Sequence, residues 1–223
     1  SGGTLTLVQT GDVLDRGDDD RAILDLLLGL QPQAAEAGGQ VLLLSGNHEL
    51  MNVQLNFSYV TPGGYTAFGG QDARVQAFRP GGSYAHKLAA LPILLKVGDT
   101  LFVHGGILLP HVGYGLARMN DEVQRWMRGE LFELPAIVNA ADGLLWTRLY
   151  SSSTDERACE QLGHVLKALG AKRMVVGHTP QLEGVTAACD ERVWRIDVGM
   201  SRFYGGPVQA LAIEGDKVSV LRE

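Results

Sequence analysis

Short apolar runs alternate along the chain with longer amphipathic stretches, and glycines collect at the joins. Thr4 to Gln9 (TLTLVQ) and Val41 to Ser45 (VLLLS) have the length and composition of buried strands, and the polar–apolar repeat from Asp19 to Leu30 between them predicts a helix. Ile93 to Val97 and Leu101 to Val103 flank Gly98-Asp99 and predict a hairpin. Helical periodicity returns at Asn120 to Arg128 and Asp155 to Leu169, with Gly170 placed to cap the second helix in the left-handed conformation. Further strands are expected at Arg173 to Val176, Val193 to Ile196, Val208 to Ile213 and Lys217 to Leu221, the last two joined by Glu214-Gly215-Asp216. The order is that of an α/β protein with a β-rich end. Residues 57–84 carry three Gly-Gly pairs and little periodicity, so a loop-rich excursion is expected there within one domain spanning 1–223.

Composition narrows the class. A chain of 223 residues, 45% of them hydrophobic, is long enough to bury a sizeable core, which excludes a disordered polymer. Its 29 glycines, without a G-X-Y repeat and with only 8 prolines, mark tight turns and not a collagen-like fibre. The net charge of −6 and the isoelectric point near 5.5 show no basic excess of the kind that holds a nucleic-acid backbone. No apolar run approaches the ~20 residues that span a bilayer, so neither nucleic acid nor membrane is an expected partner. Cys159 and Cys189 form no metal knuckle or disulfide framework, their pairing does not follow from spacing, and they are read as ordinary thiols.

The chemistry lies where the strands end. TLTLVQ runs into Thr10-Gly11-Asp12-Val13-Leu14-Asp15-Arg16-Gly17, VLLLS into Gly46-Asn47-His48-Glu49, TLFV into His104-Gly105-Gly106, and RMVV into Gly177-His178-Thr179. In an open α/β sheet, ligands bind beyond the carboxyl ends of the strands. A strand-ending Asp or Asn ordinarily caps a turn, and a lone His is ordinarily solvated. Four such donors, each beside a glycine, are a different matter. A carboxylate, an amide oxygen and two imidazoles without thiolates suit Mn, Fe, Zn or Mg, with positions left open for water and substrate.

These motifs, GDVLDRG, GNHE, VHGG and VVGHT, resemble in sequence and order those of the PPP-type metallophosphatases of the calcineurin-like phosphoesterase superfamily. GNHELMN (46–52), LFVHGGILLPH (101–111), LLWTRLY (144–150), MVVGHTPQ (174–181) and WRIDVGMS (194–201) are similar to the Shewanella-like branch. The resemblance implies a sandwich of two β-sheets flanked by helices. It also implies hydrolysis of phosphomonoesters, with phosphotyrosine-bearing proteins or peptides favoured, by in-line attack of a water activated by two divalent cations. By motif, Asp12 would bridge the metals, with Asn47, His104 and His178 completing the second metal's ligands. His48 would protonate the leaving oxygen, Asp15 would orient it, and Arg16 would clamp phosphate oxygens, with Arg148 a candidate second clamp. Tyr204 is a weaker candidate near the site. Glu49 is expected to orient its neighbours or start a helix, His111 to be structural, and His86 and His164 to be solvated.

One departure bears on the reading. The family opens with GDxHG, which gives the first metal an Asp and a His, whereas none of the eleven residues before Asp12 is Asp or His. The sequence is therefore expected to be a fragment whose first strand and motif lie elsewhere, and the chain alone to be impaired. The other readings are dinucleoside polyphosphate hydrolysis and a noncatalytic pseudophosphatase that binds phosphopeptides.

Overall fold

A computed structural model describes residues 2–152 and 155–223. The chain forms two compact units, Ser1–Leu94 with Ala117–Pro135 and Leu95–Leu116 with Ala136–Glu223. The first unit opens with β1 (Thr6–Gln9), α1 (Asp20–Glu36) and β2 (Gln40–Leu43), followed by α2 (Asn47–Val53), α3 (Pro62–Thr66), α4 (Gln71–Phe78) and α5 (Ser83–Leu88). The second holds β3 (Leu94–Val97), β4 (Thr100–Val103) and α6 (Leu109–Tyr114). The chain returns to the first unit for α7 (Leu116–Met127). It ends in the second with α8 (Ala136–Asn139), α9 (Glu156–Leu169), β5 (Arg173–Val176), β6 (Thr186–Ala188), β7 (Val193–Arg195), β8 (Gln209–Glu214) and β9 (Lys217–Arg222). This is a mixed α/β protein. Among the described residues, no helix is long and apolar enough to cross a membrane.

In the first unit β1 and β2 pair in parallel, Thr6 opposite Gln40 and Gln9 opposite Leu43, with α1 as the crossover. Both strands therefore point their carboxyl ends, and the loops carrying Asp12 and Asn47, the same way. Leu24 of α1, Leu43 and Leu44 of the β2 region, and Leu50, Met51 and Val53 of α2 are buried. The stretch 57–84 is more regular than its glycine pairs suggest. It holds two short helices and the start of a third, each with few buried positions: Gly64 in α3, Arg74 and Phe78 in α4, and Tyr84, Ala85 and Leu88 in α5, which runs past it. Helices this short bury too few apolar residues to write a 3.6-residue period into the sequence. Thr61 starts α3 by accepting from the Gly64 amide at 3.0 Å, with Pro62 in the first turn.

In the second unit the strand order is β3-β4-β5-β7-β6. β4 and β5 are parallel neighbours, Val103 opposite Val176, and β5 and β7 are parallel as well. Every residue of β5 is buried, Arg173 included, and the apolar run Met174 to Val176 is what a strand with neighbours on both sides requires. The antiparallel β8 and β9 form a separate hairpin around Gly215. α9 has the Gly170 cap its sequence predicts, and Asp155, read from the sequence as the first helical residue, stands before the helix as its N-cap. The Asp155 carboxylate accepts from the Ala158 amide at 2.8 Å, and Gly170 is left-handed at φ 57°. Leu162, Val165 and Leu166 are its buried face.

The cysteines correct the sequence reading. Cys159 on α9 and Cys189 in the β6–β7 turn form a disulfide, with Cα atoms 5.2 Å apart and a separation of 30 positions along the chain. Closing a loop of that length restricts the unfolded chain by about 3–4 kcal/mol in the chain-entropy model. Replacing both cysteines by serine is expected to lower unfolding stability by about 3 kcal/mol. Dithiothreitol should lower the wild-type urea midpoint and leave that of the double variant unchanged. Equal midpoints for wild type and variant would show that the bridge carries no stability.

Candidate active site

In the first unit the site is built by two loops that follow parallel strands. The loop after β1 is unusual in its backbone: Asp12, Asp15 and Arg16 all have positive φ, at 58°, 76° and 57°. For non-glycine residues this costs about 1–2 kcal/mol each, so the surroundings must hold the loop. Glu49, fully buried in the first turn of α2, does so. Its Oε2 accepts from the Asp12 and Gly46 amides at 2.8 and 2.7 Å, and its Oε1 from the Val13 and Leu14 amides at 2.8 and 3.1 Å. Burial, then the Asp12 charge, push the Glu49 carboxyl above its ordinary range, while the amides pull the other way. Two glycines permit the approach of the loops. A Cβ on Gly46 would strike the Asp12 carboxylate, and one on Gly11, itself at φ 95°, would strike the Gly46 backbone.

The side chains converge on His48. Its backbone amide donates to Asp12 Oδ1 at 3.0 Å, and its Nδ1 lies 2.6 Å from Asp15 Oδ2. Arg16 Nη1 lies 3.1 Å from His48 Nε2. A guanidinium can only donate, so in this arrangement Nε2 accepts and Nδ1 carries the proton given to Asp15. Burial alone would lower the pKa of His48. The Asp15 hydrogen bond and the charges of Asp12 and Asp15 outweigh it and raise the imidazole above its ordinary value, with Arg16 opposing. Tyr59 braces Arg16 twice. Its carbonyl accepts from the Arg16 amide at 3.0 Å, and its ring centroid lies 4.4 Å from the guanidinium carbon. Asn47 is buried, and its Nδ2 donates to Met51 Sδ at 3.8 Å, which commits the amide nitrogen and leaves oxygen as its donor toward a cation.

In the second unit His104 and His178 follow β4 and β5, and the Gly177 amide donates to the His104 carbonyl at 2.8 Å. Both imidazoles are buried, and His104 Nε2 lies 3.2 Å from His178 Nδ1. Nitrogens that ligate one tetrahedral ion at about 2.0–2.1 Å stand roughly 3.3 Å apart, so the pair fits a cation. His178 is left-handed at φ 67°, and Arg148 holds it there by donating from Nη1 to the His178 carbonyl at 2.9 Å and to Thr179 Oγ1 at 2.8 Å. Arg148 is otherwise exposed.

The remaining histidines fall as expected. His111 is buried and accepts from the Leu108 amide through Nδ1 at 3.0 Å; burial lowers its pKa, with Asp142 opposing. His86 and His164 are exposed on α5 and α9. Tyr204 packs edge-on against Phe203, with ring centroids 4.9 Å apart. Sequence reasoning did not find Tyr59, Asn52 or Arg74. Asn52 stands one helical turn after His48, and that spacing was its one signal. Tyr59 and Arg74 lie in the stretch without periodicity and had none.

A family model described as "Calcineurin-like phosphoesterase" matches residues 2–182. Shewanella-like protein phosphatase 2 of Arabidopsis thaliana is 35% identical over 251 residues, covering 91% of this chain and 64% of that protein. Shewanella-like protein phosphatase 1 of Plasmodium berghei is 32% identical over 235 residues, covering 99% and 65%. The chain thus spans slightly less than two thirds of these relatives. Among solved structures, the cold-active protein-tyrosine phosphatase of a psychrophilic Shewanella species superimposes with a TM-score of 0.81 at 25% identity, covering 99% of this chain and 67% of that one.

Proposed function

Because the chain belongs to the calcineurin-like phosphoesterase family, we propose that the protein hydrolyses phosphomonoesters on phosphorylated proteins or peptides, favours phosphotyrosine, and depends on divalent metal. The observation that carries this reading is the His48–Asp15 pair at 2.6 Å, with Arg16 beside it, at the carboxyl ends of β1 and β2. By their motifs, Asp12, Asn47, His104 and His178 are the residues that would hold metal. In the complete protein, two divalent cations, of Mn, Fe, Zn or Mg type, would supply a water acidified to a nucleophile at neutral pH and offset the charge of the phosphate.

The chain's own residues supply the rest. His48, protonated at Nε2 once Arg16 turns to the phosphate, gives that proton to the departing oxygen, and Asp15 keeps the ring in line for the transfer. The Arg16 fork, braced on Tyr59, matches two equatorial phosphate oxygens, and Arg148 is a second donor of the same kind. The likeness to a protein-tyrosine phosphatase supports the choice of aryl ester.

Competitive turnover with manganese decides the substrate. A phosphotyrosine peptide, its phosphoserine counterpart and a dinucleoside tetraphosphate are supplied together, and the phosphotyrosine peptide is expected to be consumed first. Preference for the nucleotide overturns the protein-phosphatase reading. Phosphopeptide binding without hydrolysis makes the protein a binding module.

A further inference from the structure

Behind the His48–Asp15 pair the first unit encloses a whole positive charge. Arg74, on α4, has no exposed surface. Its Nη2 lies 2.9 Å from Asp20 Oδ2 and 3.6 Å from Asp15 Oδ1, and its Nη1 donates to the Gly64 carbonyl at 2.9 Å. The rings of Phe68 and Phe78 stand 4.8 and 4.9 Å from the guanidinium carbon. Asp20 supplies the opposite charge that a buried guanidinium needs. Arg74 does more: Nε and Nη2 both donate to Asn52 Oδ1, at 3.1 and 2.7 Å. A side-chain amide can present oxygen or nitrogen to a neighbour. With two arginine donors on its oxygen, Asn52 must offer nitrogen on the other side. That nitrogen donates to Asp15 Oδ1 at 3.0 Å and to the His48 carbonyl at 2.9 Å.

Asp15 is thereby held at both oxygens, Oδ1 by Asn52 and Oδ2 by His48. We propose that Arg74 and Asn52 are positioning residues that act through Asp15 to set the plane of the His48 imidazole. This rests on the reading of His48 as the proton donor to the leaving oxygen. Loosening the carboxylate misaligns the ring, and misalignment matters in proportion to the leaving oxygen's need for a proton. Dinitrophenolate departs readily without one, whereas phenolate does not.

The test uses the manganese-loaded protein and its Asn52→Ala, Arg74→Lys and His48→Asn variants on dinitrophenyl, p-nitrophenyl and phenyl phosphate. A second readout is the downfield proton NMR signal of His48 Nδ1–H without substrate. For Asn52→Ala, kcat on phenyl phosphate is expected to fall about tenfold or more, kcat on dinitrophenyl phosphate to stay within about threefold, and KM to hold. The Nδ1–H signal is expected to broaden or move upfield. Arg74→Lys, which keeps the buried charge without the fork, should show the same pattern, and Asn52→Ala carries the test alone if the lysine variant does not fold. A uniform loss over the three esters, or an unmoved Nδ1–H signal, overturns the positioning role. If His48→Asn depends on the leaving group and Asn52→Ala does not, the positioning role falls and the proton-donor reading stands. If His48→Asn itself shows no such dependence, both fall.

Discussion

Replacing His48 by asparagine is expected to lower kcat on a phosphotyrosine peptide by about 10²–10⁴-fold, the usual range for a lost general acid. Binding of the peptide and metal content should change little. Asparagine can keep a hydrogen bond to Asp15, which otherwise sits 2.6 Å from Nδ1, but it has no proton to give at the position of Nε2. The backbone amide of residue 48 still donates to Asp12 Oδ1, so the loop after β1 keeps its anchor. Steady-state kinetics with metal analysis on the same samples checks the expectation. A loss below tenfold at unchanged metal content would remove His48 from the proton transfer.

The second large effect is on stability. Glu49→Ala deletes the acceptor for the amides of Asp12, Val13, Leu14 and Gly46. A buried donor left without a partner costs about 1–3 kcal/mol. Water entering the space left by the side chain would satisfy some of the four. A net loss of about 4 kcal/mol is expected, near the upper end for single substitutions. It should appear as a fall in the urea midpoint at constant m-value, with Glu49→Gln intermediate because one amide oxygen still accepts. A change below 1 kcal/mol for Glu49→Ala would mean that the loop after β1 is held by something else.

The candidate site was largely legible because its chemistry lies where short apolar strands stop. Each of Asp12, Asn47, His104 and His178 stands beside a glycine at such an end, and that pattern survives without knowledge of the fold. The Gly170 cap was legible for the same local reason, since caps are decided within one turn. What the sequence hid depends on neighbours distant in the chain. Arg74 reads as a surface residue by its charge, and its burial follows from partners at 20, 52 and 64. The Cys159–Cys189 bond depends on a 5.2 Å Cα separation that no spacing rule supplies. The three-residue strand β6 is too short to show an alternation, and the helices that begin between 57 and 84 are too short to show a period.

The reach of the Glu49 carboxylate has a meaning for anyone who wishes to transplant this chemistry. It closes contacts across 35 to 37 residues, so neither GDVLDRG nor GNHE is a portable motif. A peptide carrying the first has three amides with no acceptor, and a peptide carrying the second has a carboxylate with nothing to clasp but Gly46. The smallest graft that keeps the loop in its left-handed shape is the β1–α1–β2 segment through the first turn of α2, with both glycines at the crossing of the two loops left in place.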